Sequence, residues 1–156
     1  MPDGKNHDWI NILVLALILS GIFYFGIWKE NELLLRHLNI YQVSMFSGFY
    51  LFATFFLSPD LDIESTPYKR WSFLCFLWWP YKVIFKHRGL SHHIIIGPLS
   101  IVLNLAIIVA VLLLLAGVDL QSLPLNFVEA AVAGIVLSIE VHIISDSLVS
   151  KIKDIF

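Results

Sequence analysis

Charge is scarce in this sequence: only 14% of its 156 residues are Asp, Glu, Lys or Arg, against 58% hydrophobic residues. Water-soluble domains carry about 25% charged residues, so the composition predicts a membrane protein. Low charge combined with high apolar content also excludes a disordered chain. The net charge of −2 supplies no basic face, and nucleic acid is not expected as a partner. Cysteine is nearly absent. Cys75 stands alone, which excludes a disulfide framework and a thiolate zinc cage. Any metal site must draw on the six histidines and twelve carboxylates. There is no Gly/Ser-rich linker, no internal repeat and no second compositional regime, so residues 1–156 read as a single domain.

What the chain does have is long apolar runs. Four of them, near 10–28, 41–57, 94–116 and 127–149, suit helices crossing about 30 Å of hydrocarbon. The first three contain no charged residue, and the second is the shortest and most polar, with Gln42, Ser44, Ser47 and Thr54. Asp3 and Asp8 precede the first run, which lacks an A-x-A pattern. It is therefore expected to be a retained span rather than a cleaved leader. The stretch 71–85 (WSFLCFLWWPYKVIF) is short, rich in Trp and Tyr, and interrupted by Pro80. It reads as an interfacial or re-entrant helix.

With four spans, Lys5, Lys69, Arg70, Lys82, Lys86, Arg88, Lys151 and Lys153 fall on one side, and Lys29 and Arg36 on the other. That asymmetry predicts both termini in the cytoplasm. The expected fold is all-α: a polytopic four-helix membrane bundle with one interfacial element, integral to the cytoplasmic membrane.

The same topology gathers polar groups at the cytoplasmic end. His7 and Asp8 precede the first span, Asp60 and Asp62 follow the second, His87, His92 and His93 precede the third, and His142 and Asp146 end the fourth. His142 and Asp146 are four residues apart and share a helix face. The small residues Ser138, Gly134 and Ala130 continue that face and should turn it towards other helices. An ionisable pair inside a bundle is a functional candidate, although a structural His–Asp hydrogen bond would also fit. In HRGLSHH, Gly89 is expected to break the local helix and Ser91 to cap the third span, so that His87 and His92 converge. The alternative is an interfacial basic loop on lipid headgroups. Arg88 could hold a substrate phosphate. In SPDLD the two carboxylates diverge if the segment is extended, leaving Asp60 as a ligand and Asp62 as a spare base. Glu140 lies about 200° around the helix from His142 and has no assigned role. His37 falls at the opposite end.

MPDGKNHD at the start, SPDLDIES followed by KRW and WWPY, HRGLSHH with a later GP, and the final HxxxD together resemble a known family. It comprises small bacterial and archaeal membrane proteins, described as metal-binding and of unknown function. More distantly, the set resembles the membrane-bound metal-dependent hydrolases, a group that includes a LexA-regulated inner-membrane protein. Both are similar to the superfamily of zinc-dependent phospholipase C and single-strand-specific nucleases, whose HxxxD and HxxxE pairs hold a zinc cluster. This sequence has one HxxxD and no second HxxxE.

The resemblance implies His7, Asp60, His87, His92, His142 and Asp146 as ligands of one or two divalent ions, with Zn first and Mn or Fe as alternatives. It further implies a phosphoester hydrolase; for that reaction the residues themselves offer Asp62 as a general base and Arg88 as a holder of the phosphate. Membrane lipid would be its surroundings, and a phospholipid or other amphiphilic phosphoester its substrate. The contrasting expectation is a non-catalytic metal-binding, sensing or metal-handling protein. A purely structural bundle is the third reading.

Overall fold

Long apolar sequences satisfy their backbone groups within a single helix, and helix is what they form; Pro98 falls in the first turn of its helix, Ile96–Leu115, where no intrahelical N–H bond is lost. The computed structural model describes residues 4–28, 39–85 and 88–153, and among these all regular structure is helical. Helix α1 (Gly4–Ile22) runs on into a π-helical turn at Phe23–Trp28. Helix α2 (Ile40–Phe56) starts at a capping box, in which the Asn39 side chain accepts from the Gln42 N–H and Gln42 returns the bond. It stops where Leu57 turns extended and Ser58 caps a 3₁₀ turn, Pro59–Asp62. Then come α3 (Thr66–Arg70), a 3₁₀ segment (Ser72–Trp78), α4 (Trp79–Ile84), α5 (Arg88–Ser91), α6 (Ile96–Leu115) and α7 (Leu125–Lys153).

Three stretches are long and apolar enough to cross a membrane: Asn6–Gly26, Ile96–Leu115 and Leu125–Lys151. The second expected span is shorter. Ile40–Phe56 has 17 residues, about 25 Å of helix, because the Ser58-Pro59 pair redirects the chain.

Helices α2 and α7 make the most extensive contact, and Gly134 is the reason they can. A Cβ at Gly134 would meet the Phe46 carbonyl oxygen and lie 3.0 Å from the Tyr50 nitrogen. The small-residue row on α7 thus lets two backbones touch. Thr54 and Ser138 hydrogen-bond across this seam at 3.0 Å.

The apolar core lies towards one end of the bundle. Ala53 and Leu57 close α2, Ile101 opens α6, and Ile135, Ile139 and Ile143 come from the later half of α7. Leu61, Trp78 and Tyr81 from the 57–95 connection complete it. Stretch 71–85 is two short helical pieces rather than one helix. Trp78 and Tyr81 face inward, while Phe73, Phe76, Trp79 and Ile84 are exposed. The Trp71 indole N–H donates to the Phe56 carbonyl at 2.9 Å, pinning this layer across the end of α2.

Candidate metal centre

Each long helix contributes to this end from its own logic. On α1 the buried positions His7, Asn11 and Leu15 recur every four residues, one face of the helix. Asn11 is fixed by the Tyr50 hydroxyl, which donates to its Oδ1 at 3.0 Å. His7 is thereby turned inward one helical turn earlier. On α7, His142 and Asp146 continue the Gly134–Ser138 row. The 3₁₀ turn after α2 sends Asp60 towards them. His92 arrives just before α6, where Gly97 permits the approach: a Cβ there would meet the Ser91 carbonyl oxygen.

Five side chains converge. His7 Nε2 lies 3.1 Å from Asp146 Oδ1. His92 Nε2 lies 3.4 Å from Asp60 Oδ1 and 3.5 Å from Asp146 Oδ2. His142 Nε2 lies 3.7 Å from Asp60 Oδ2 and 3.6 Å from Asp146 Oδ2. The His7 and His142 rings stack at 4.2 Å. His7, His142 and Asp146 offer ligand atoms that all lie within 4.8 Å of one another.

The donors fit a metal ion better than they fit each other. Asp60 Oδ1 and His92 Nε2 are buried without a hydrogen bond, although they are 3.4 Å apart. Atoms that share an ion at about 2.0–2.2 Å sit roughly 3.0–3.5 Å from their neighbours, close to the spacings here. Imidazole nitrogen with carboxylate oxygen suits Zn, Mn or Fe.

Electrostatics agree with the crowding. Burial opposes ionisation of Asp60, but His142 and His92 outweigh it and hold its carboxyl well below the usual carboxylate range. The Asp146 and Asp60 carboxylates lift His92 to about 9 against the opposing effect of burial. Burial pushes the Asp62 carboxyl up, with the Ser91 hydroxyl pulling the other way.

Asp62 is buried and accepts from Ser91 Oγ at 3.0 Å, and Ser91 Oγ lies 3.2 Å from His92 Nδ1. Ser91 is therefore not the cap of α6. That helix starts at Ile96, and His93 Nδ1 accepts from the Ile95 and Ile96 N–H groups at 3.3 Å. Gly89 lies within α5 rather than breaking it. His87 and His37 lie outside the described residues, as does the side chain of Arg88. Glu140 is half-buried and takes no part in the cluster.

A cavity of about 200 Å³ opens against His7, Asp60, His142 and Asp146. Its other wall includes Asp8, Thr54, Ser65, Thr66 and Arg70. Arg70 donates to Asp8 Oδ2 and to the Phe55 carbonyl, each at 2.8 Å. Sequence reasoning missed Arg70 and Ser91. Arg70 counted only towards the charge asymmetry, and nothing in its spacing from Asp60 or His7 signals that α3 folds back beside them.

The chain matches the family described as "Uncharacterized metal-binding protein (DUF2227)" over residues 2–128. It belongs to that family. The matched stretch carries His7, Asp60 and His92 and ends before His142 and Asp146, so α7 completes the cluster from outside it. An uncharacterized protein of Aquifex aeolicus (strain VF5) is 55% identical over 51 residues, which are 32% of this chain and 36% of that relative's length. No solved structure matches the chain.

Proposed function

We propose that the protein is a metal-dependent phosphoester hydrolase of the cytoplasmic membrane, with its site at the cytoplasmic face of a four-span bundle. One observation carries the catalytic part: four of the five converging side chains line a cavity, so the candidate ligand set faces open space rather than a sealed core. The Lys/Arg asymmetry supports the orientation, and α2, apolar but shorter than the three longer helices, is read as the fourth span.

His7, Asp60, His92, His142 and Asp146 would hold one or two divalent ions, Zn foremost. Such an ion supplies a lowered pKa for a coordinated water, to about 7, and compensates the charge that develops on phosphoryl oxygens. The chain's own groups do the positioning. Ser91 and Asp62 fix the His92 ring through its Nδ1, so that Nε2 faces the cluster. A direct base role for Asp62 requires access to the cavity, whose lining does not include it. A second reading, a non-catalytic metal-binding protein, draws support from the family description and from the number of donors, since five can close a coordination sphere.

The test is metal content by mass spectrometry on detergent-purified protein, with wild type beside His142→Ala/Asp146→Ala. Stoichiometric metal in wild type and its loss in the double variant is expected. The loaded protein should then cleave a chromogenic phosphodiester, and the double variant should not. Metal without cleavage across a range of phosphoesters would favour the second reading. Wild type that stays metal-free after reloading with Zn²⁺ or Mn²⁺ would remove both.

A further inference from the structure

We infer that Arg70 makes the cavity an oxyanion site, seating a phosphate-class group between its guanidinium and the His/Asp cluster. This deepens the proposed function and rests on the metal reading of that cluster.

Arg70 lines the same cavity as His7, Asp60, His142 and Asp146. Long cationic side chains at a membrane end ordinarily extend into water, but this one is tied down. One arm donates to the Phe55 carbonyl and the other to Asp8, one residue from His7, both at 2.8 Å. Its guanidinium carbon also lies 5.5 Å from the centre of the Phe55 ring. A guanidinium has five N–H donors in a planar fork that matches phosphate oxygens. Two hydrogen bonds to protein hold the fork in place, and the remaining donors serve a ligand.

The same wall carries Ser65 and Thr66. Ser65 Oγ accepts from the Tyr68 N–H at 3.3 Å, an arrangement that directs its own proton elsewhere. Sequence alone points to Arg88 for the phosphate; the cavity points to Arg70. Its volume of about 200 Å³ has room for a phosphoryl group with a small substituent.

Charge makes the site conditional. Asp8, Asp60 and Asp146 surround the cavity with a single arginine among them. Without a metal ion the carboxylates dominate and repel an anion. A divalent ion balances them, so oxyanion binding should require metal loading.

Titration calorimetry with inorganic phosphate tests this on the full chain, loaded with stoichiometric Zn²⁺ in detergent, with metal content measured on every sample. Wild type should bind phosphate when loaded and not when stripped. Arg70→Gln should keep its metal and lose about ten- to a hundredfold in phosphate affinity, while Arg70→Lys should lose less. Acetate should compete poorly. Calorimetry in the same detergent with a short-chain phosphatidic acid, beside a short-chain phosphatidylcholine, separates the two sources of the group. Binding of the phosphatidic acid that Arg70→Gln abolishes assigns a lipid headgroup. Binding of free phosphate alone assigns a soluble phosphate. Arg70→Gln that retains metal and binds phosphate like wild type overturns the inference while leaving the metal site standing. Arg70→Gln that loses its metal also overturns it, making Arg70 a structural brace for Asp8 and His7. A metal-free wild type removes the metal reading itself, and the metal assay reports that separately.

Discussion

The three imidazoles reach the cluster through Nε2, and their second nitrogens have different surroundings. His92 Nδ1 has Ser91 Oγ at 3.2 Å, backed by Asp62, whereas His7 Nδ1 is buried without a partner. An imidazole held by a second hydrogen bond keeps one tautomer and one ring orientation. Ser91→Ala is therefore expected to weaken metal affinity about 10–100-fold without abolishing it, as read by competition with a chromogenic chelator. Unchanged affinity would mean that Ser91 and Asp62 serve packing alone. Protons compete at the same nitrogens. In the metal-free protein Asp146 and Asp60 lift His92 to about 9, so it is charged at pH 7, and a ligating imidazole must be neutral. Metal uptake at pH 7 should release protons, and apparent affinity should rise roughly tenfold per pH unit from 7 to 9. Calorimetry in two buffers of different ionisation enthalpy reads the release directly. Such roles escape sequence reading: Ser91 looked like a helix cap because of where it stands in the chain, and its hydroxyl instead turns to a carboxylate 29 residues away.

Among the elements, two glycines set how closely backbones approach, and they should fail differently when substituted. Gly134 lets α7 lie on α2, and a methyl there would press on the Phe46 carbonyl. Gly134→Ala should lower thermal stability in detergent, by about 1–3 kcal/mol for an overpacked seam. Gly97 lets the start of α6 pass under the Ser91 carbonyl. Gly97→Ala should displace Ser91 and His92 and so reduce metal affinity more than it reduces stability. An equal loss of both properties in both variants would show the seam and the site to be one unit. The small-residue row on α7 was legible from its spacing of four. The 71–85 layer was legible as a non-spanning aromatic segment, but not as two short pieces. Its shape comes from Trp71 packing onto Phe52 and Phe56 of α2, with Trp78 against Trp71 and Tyr81 against Trp78, contacts that no local pattern encodes.

At the scale of the molecule, the order of the helices does the assembling. α1 and α6 leave the site end, and α2 and α7 return to it, so five side chains from four separate segments meet. The proposed four-span, termini-inside orientation would place the loop between α6 and α7 outside the cytoplasm. A single cysteine at Gln121, in a Cys75→Ser background, should react with an impermeant maleimide on intact cells. A cysteine at Lys151 should react only after permeabilisation. The opposite pattern would invert the topology and move the site to the outer face.

Composition by itself determined the helical class and the chemistry open to a metal site, because apolar runs must close their own hydrogen bonds and one cysteine cannot build a thiolate cage. Spacing by itself determined that His142 and Asp146 share a face. Hydropathy and the Lys/Arg asymmetry already bring His7, Asp60 and His92 to the same end; only the tertiary structure decided that they close to 3.1–3.7 Å contacts within the cluster, that Asp62 turns to Ser91, and that Arg70 stands at the cavity. Those outcomes depend on antiparallel packing and on the direction each side chain takes as it leaves its own helix or turn. Periodicity along one element carries no record of what a distant element presents to it.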